Sequence, residues 1–163
     1  MKHYELHKDG FTITTDTSRL DIPFVHSFLS NQSNWAKGIP LAIVERSVHH
    51  SLCFGVYDGQ IQVGFARIIS DFATIAYLGD VFIAESHRGL NLSKWLMEAI
   101  LSHPHLQGMR RWILVTADAH GLYEKYGFKK LVNPDSYMEL FNPAVYVSAV
   151  PDTKSEDPKN GVF

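Results

Sequence analysis

Apolar residues early in the chain recur at helical spacing, and later segments switch to the denser runs of buried strands. Leu20, Phe24, Val25, Phe28 and Leu29 fall on one helix face, with Ser18 as a candidate N-cap and Pro23 in the first turn, where a missing N–H does no harm. Only a short stretch around Phe11 to Thr15 precedes this helix. A Ser- and Asn-rich link at residues 30–34 leads to Pro40, which suits the first turn of a second helix running toward His49. From residue 52 the pattern changes. Two apolar runs, residues 52–57 and 60–69, flank Asp58-Gly59, a dipeptide that accepts the positive φ of a tight turn and predicts a β-hairpin. Residues 75–83 form the next strand, residues 85–89 interrupt it, and Leu92, Trp95, Leu96, Ala99, Ile100 and Leu101 return at helical spacing. Arg110 and Arg111 precede a strand at residues 112–115. Asp118 can cap a short helix that ends at Gly127, and a final strand is expected from Phe128.

The predicted order is helix, helix, hairpin, strand, helix, strand, helix, strand, which calls for an α/β fold with a mixed sheet covered by helices. Residues 1–141 read as one domain. The pattern fades after residue 141, so residues 142–163 read as an extension, partly flexible and polar toward its end. A length of 163 residues with 45% hydrophobic and 20% charged positions fits one ordinary globular core. A net charge of −2 supplies no general positive field for a nucleic-acid backbone, so no nucleic-acid partner is expected. Neither a signal-peptide pattern nor a membrane-length apolar run is present, which predicts a cytoplasmic protein with no membrane partner. Cys53 stands alone, and no Cys/His spacing suggests a zinc cage, so no metal is expected.

The chemistry concentrates in residues 80–94, where a strand runs through Asp80, Val81, Phe82 and Ile83 into a turn that opens a long helix. A helix start offers unpaired N–H groups and a positive dipole end. With Arg88 and the Ser93 hydroxyl beside it, this segment can hold a pyrophosphate. A nucleotide could use the same physics, but the glycine-rich dinucleotide and Walker patterns are missing.

This segment resembles the acetyl-CoA loop of the GNAT N-acetyltransferase family, an Arg or Gln, two residues, a Gly, one residue, then Gly or Ala. Here it falls on Arg88-Gly89-Leu90-Asn91-Leu92-Ser93, with Asn91 and Ser93 where the family prefers glycine or another small residue. Asn91 can adopt left-handed backbone angles and Ser93 is small. A more specific match is Leu122-Tyr123-Glu124-Lys125-Tyr126-Gly127-Phe128, similar to the family's Leu-Tyr-Glu-Lys-x-Gly-Phe signature. A closer group within the family shares Gly64-Phe65-Ala66-Arg67, residues 77–81 and Trp95-Leu96-Met97.

The resemblance implies a mostly antiparallel sheet flanked by helices on both faces, acetyl-CoA as co-substrate, and acetyl transfer to the primary amine of a small molecule or peptide. It implies that the backbone of Val81, Phe82 and Ile83 contacts pantetheine, that the loop from His87 through Ser93 holds the phosphates, and that Tyr123 protonates the departing thiolate. Thr116 stands where many relatives carry an Asn on pantetheine. A protonated alkyl amine must lose a proton, for which Asp80 is the first candidate base and Asp71 the second. Trp35, Asp71 and Tyr77 are candidate substrate-binding residues. Each has a plainer alternative: a surface Arg88, a core Tyr123, a capping or ion-paired Asp80, a Trp35 or Tyr77 that anchors helices. Asn91, Ser93 and Thr116 also leave open a non-catalytic acyl-CoA-binding module. Dimers are frequent in the family, and Val145-Tyr146-Val147 could add a strand to a neighbour.

Overall fold

A computed structural model describes residues His3 to Tyr146. Six strands form one sheet in chain order: β1 (Glu5–Lys8), β2 (Phe11–Thr14), β3 (Leu52–Asp58), β4 (Ile61–Ser70), β5 (Ile75–Ile83) and β6 (Arg111–Leu114). Neighbours pair antiparallel through β5, and β6 joins β5 in parallel. The helices are α1 (Ile22–Ser27), α2 (Leu41–His49), α3 (Leu92–Leu101) and α4 (His120–Glu124). Among the described residues no helix is long and apolar enough to cross a membrane, and no cluster of three His, Cys, Asp or Glu could hold a metal ion.

Strand alternation builds two cores. Phe54, Ala66, Ile68, Ala76 and Leu78 face α3, whose Leu96, Met97 and Ile100 are fully buried against them. Cys53, Phe65 and Phe82 face the opposite way and pack with Val25, Phe28, Leu29 and Val44 from the α1–α2 layer. Helices on both faces are thus each required by half of the strand residues. Burial pushes the Cys53 thiol up to about 12, in keeping with an inert core cysteine.

Four local expectations are corrected. The chain opens with a hairpin rather than a helix: Asp9 and Gly10 both take positive φ, 52° and 85°, between the paired residues Lys8 and Phe11. The first helix is capped by Asp21, which accepts from Phe24 N at 2.9 Å, while Asp16 takes the N–H of Ser18. Asp21 is fixed there because its N–H donates to the buried Gln62 Oε1 at 2.7 Å. At the second hairpin Asp58 pairs with Ile61, so the turn residues are Gly59 and Gln60, and only Gly59 has positive φ. No strand forms from Phe128 among the described residues; that ring instead packs edge-on against Trp112 and Tyr123. Val145 and Tyr146 stand in a turn, whereas Val147 and the rest of the expected extension to residue 163 lie outside the described residues.

One buried group is at odds with its surroundings. Tyr57 is 2% exposed and its hydroxyl has no hydrogen-bond partner among the described residues. Burial pushes the phenol up to about 12, against the pull of the Arg19 guanidinium 4.5 Å from the ring centroid. Tyr57→Phe removes an unsatisfied polar atom and keeps the ring, so it should stabilise the protein by about 1 kcal/mol. The natural tyrosine stays protonated in the fold after the unfolded one ionises near pH ~10. Its contribution is therefore complete below pH ~10 and is lost as pH rises toward about 12. Thermal unfolding at neutral pH and near pH ~11 should show a larger alkaline loss in the natural chain than in the variant.

Candidate active site

The candidate site is a cleft that opens where two parallel strands part. β5 and β6 pair from Ile75 with Arg111 to Leu78 with Leu114, where β6 ends, while β5 continues to Ile83. Among the described residues no strand lies beside the edge of β5 beyond Leu78. On its other edge β5 stays on β4 through a bulge. Between the pairs Arg67–Gly79 and Phe65–Phe82, Ala66 alone on β4 faces both Asp80 and Val81 on β5.

Asp80 takes the left-handed φ of 53° that the bulge needs, a conformation Asp tolerates better than most residues. Its carboxylate is engaged at both oxygens. Arg67 Nε donates to Oδ2 at 2.7 Å, and the Trp35 indole Nε1 donates to Oδ1 at 3.0 Å. The Arg67 and Asp80 side chains are 17% and 11% exposed, so the pair is largely withdrawn from water.

The loop after β5 faces the cleft. Gly89 and Asn91 have φ of 81° and 59°, the left-handed angles expected of this loop. The Asn91 side chain accepts from Lys94 Nζ at 2.8 Å and makes no cap, so the first turn of α3 keeps its N–H groups uncapped by any side chain. Arg88 donates through Nε to Ile83 O at 3.3 Å, which ties the loop to β5 and leaves the two terminal guanidinium nitrogens without a partner among the described residues. His87 is held by Ser86 Oγ at 2.8 Å and Asp58 Oδ2 at 3.3 Å, anchoring the loop on the β3–β4 hairpin.

Tyr123 comes from α4. No side chain caps α4, so the expected Asp118 cap does not form; in the turn ahead of the helix Thr116 Oγ1 accepts from Ala119 N at 3.0 Å. Gly127, with φ of 86°, turns the chain away after it, and Tyr126 donates to Lys94 O at 3.0 Å to join α4 to α3. Tyr123 is 9% exposed, and among the described residues no hydrogen-bond partner of its hydroxyl is found. Burial, with help from Asp118, raises its pKa, so the phenol keeps its proton.

The cleft these groups enclose has a volume of about 520 Å³, within the range of small-molecule sites. Val81, Phe82, Ile83, His87, Arg88, Gly89, Asn91, Leu92, Ser93 and Tyr123 all line it, as does Trp35. The Phe82 ring turns away into the helical layer, stacked on Phe28 at 3.7 Å, so only its backbone is offered to the cleft. Leu90 points outward, 54% exposed, and Thr116 lines a different hollow. Asp71 and Tyr77 lie outside the cleft lining. Asp71 closes the β4–β5 loop, accepting from Thr74 Oγ1 at 2.6 Å and from the N–H groups of Ala73, Thr74 and Ile75. Those bonds, the Thr74 hydroxyl first, hold its carboxyl well below the usual range. Gln32, Asn34 and Asp118 also line it without having been anticipated, and Phe28, Ala119 and Leu122 complete the lining. The first two sit on the α1–α2 link, whose path no local motif specifies.

Comparison with known proteins agrees with this architecture. An acetyltransferase (GNAT) domain model matches residues 49–130. A Gibberella zeae protein assigned as an acetyltransferase is 29% identical over 141 residues, spanning 72% of this chain and 78% of its own. A Xanthomonas campestris crystal structure assigned to the GNAT family is 52% identical with a TM-score of 0.83, covering 86% of this chain and 99% of that one. A Clostridium acetobutylicum acetyltransferase solved with acetyl-CoA shares the fold at 14% identity and a TM-score of 0.57, covering 86% and 95%. The matched span holds the bulged strand, the loop at Arg88 and the helix of Tyr123, and the chain belongs to the GNAT acetyltransferase family.

Proposed function

We propose that this protein transfers the acetyl group of acetyl-CoA to a primary amine of a small molecule or peptide, by direct attack within a ternary complex. The observation that carries the reading is the convergence, in one cleft, of an unpaired strand edge, an uncapped helix start with a free guanidinium, and a protonated tyrosine. Each suits one part of acetyl-CoA. The backbone of residues 81–83 can pair with pantetheine amides as a further strand does. Arg88, Ser93 and the N–H groups of α3 suit the pyrophosphate. Two structural neighbours, from Clostridium acetobutylicum and Elizabethkingia anophelis, hold acetyl-CoA on the same fold.

In the reaction the neutral amine nitrogen bonds to the thioester carbonyl carbon and the carbon–sulfur bond breaks. Tyr123 gives its proton to the departing thiolate and regains one from solvent. The proton lost by the amine passes to water entering the cleft. Asp80, the first expected base, is not among the residues that line the cleft, and its oxygens already accept from Arg67 and Trp35. That favours a positioning role, in which Asp80 holds the 52% exposed Trp35 as a wall for the acceptor. The charge of Asp80 would then act through Trp35 and the bulge.

Three measurements test the reading. In calorimetric titration with acetyl-CoA, Arg88→Ala should weaken binding roughly tenfold or more, as expected for a charge-assisted phosphate contact. No binding by the natural chain would sink the proposal. Tyr123→Phe should keep acetyl-CoA affinity within about twofold and lower turnover by about a hundredfold in a thiol-release assay with an amine panel. Thiol release absent from the natural chain across that panel, despite tight binding, favours a binding module instead. Asp80→Asn separates base from positioning residue: positioning raises KM for the amine across the pH range, whereas a base role removes the acidic limb of the kcat profile.

A further inference from the structure

Acetylation strips a proton from the amine nitrogen, and a protonated Tyr123, suited to the departing sulfur, cannot also receive it. Among the described residues, four ionisable side chains line the cleft: His87, Arg88, Asp118 and Tyr123. Arg88 has no acceptor atom. Both ring nitrogens of His87 are taken, Nδ1 with Ser86 Oγ at 2.8 Å and Nε2 with Asp58 Oδ2 at 3.3 Å. The carboxylate of Asp118 has neither a hydrogen bond nor an ion pair among the described residues. It is the one unengaged base on the cleft wall.

The local structure explains why Asp118 is unengaged. An Asp just ahead of a helix ordinarily caps it. Here Thr116 Oγ1 takes the N–H of Ala119, and α4 begins with no side-chain cap, so the Asp118 carboxylate holds no part of the fold. The other nearby acids are excluded by where they stand. Glu124 lines a second hollow, about 270 Å³ in volume, that runs along β6 and is also bordered by Tyr123. Asp80 is bound by Arg67 and Trp35, and Asp71 closes the β4–β5 loop.

Asp118 also stands near the reacting end of the cleft. After burial, its charge is what raises the Tyr123 phenol, so its field reaches the hydroxyl that faces the departing sulfur. Asp118 is exposed, so a proton it accepts can pass on to bulk water. The chemistry suits a carboxylate at one step in particular. An alkyl ammonium of pKa ~10.4 holds its proton too firmly to surrender it to a carboxylate, and loses it to solvent before attack. Once the neutral nitrogen has bonded to the acetyl carbon it carries positive charge, and its remaining proton is more acidic.

We propose that Asp118 is the proton acceptor on the nitrogen side of the reaction. Its carboxylate takes, through the water that enters the cleft, the proton shed as the new carbon–nitrogen bond forms. The carbon–sulfur bond breaks, Tyr123 protonates the sulfur and regains its proton from solvent, and Asp118 releases its own to solvent. The assignment rests on the acetyl-transfer reading of the cleft.

Asp118→Asn should lower kcat for alkyl amines by roughly a hundredfold, with acetyl-CoA affinity and KM for the amine kept within about twofold. Asp118→Ala should show the same loss, and added sodium formate should restore part of its turnover saturably, while equal sodium chloride does not. Formate should leave the natural chain unchanged. Turnover by Asp118→Asn close to that of the natural chain, a loss confined to KM, or an Asp118→Ala chain that formate cannot rescue would each overturn the assignment and leave acetyl transfer standing. A natural chain that releases no thiol with any amine would overturn both together.

Discussion

The contact between Arg67 and Asp80 sets the phase of the strand on which everything downstream depends. Ala76 and Leu78 face α3, and unbroken alternation would send Phe82 the same way. Instead Phe82 stacks in the α1–α2 layer and Ile83 faces α3, because the bulge inserts one extra residue between them. Asp80 is that residue's left-handed pivot, and its carboxylate, engaged by Arg67 and Trp35, stabilises a backbone conformation that costs a non-glycine residue on the order of 1 kcal/mol or more. One ion pair thereby aligns two cores, the free edge of β5 and the position of Trp35.

The loop after that strand shows how a departure from a family pattern can be absorbed. Glycine is preferred where the backbone turns left-handed, and here Asn91 adopts φ of 59° with its side chain occupied by Lys94. Had Asn91 capped α3 in the ordinary way, its oxygen would have taken an N–H that an anion needs. The substitution keeps the helix start open, and Lys94 adds a positive charge beside it.

Much of the fold was legible because each element's period was distinct. Leu92 to Leu101 recurs at helical spacing, Asp58-Gly59 marks a hairpin, and the Tyr123 signature lands on a cleft-lining helix. What escaped was written in weaker terms. β1 has three exposed residues of four, so its pairing rests on the Asp9-Gly10 turn rather than on hydrophobic alternation. The cap of α1 moved from Ser18 to Asp21 through Gln62, forty-one residues on, a contact no local rule contains. Asp71 reads as a candidate base by type, yet four short donors make it a loop closure. The run of residues 75–83 hides its bulge, since the apolar residues on either side of Gly79 and Asp80 are compatible with burial on either face.

Tyr123 belongs to two surfaces, and this constrains how the site can be built. It lines both the cleft and the hollow along β6, its ring packed on the Phe128 edge at 5.9 Å, with α4 only five residues long beneath it. A helix that short has little stability of its own. Its position rests on Thr116 at the start, on the Tyr126 bond to α3, and on whatever lies in the hollow. Water in the hollow would leave the back of the phenol solvated, while apolar side chains there would deepen the burial that already raises its pKa. The placement of this phenol in the cleft is therefore coupled to occupancy of the hollow along β6, through packing against a single ring.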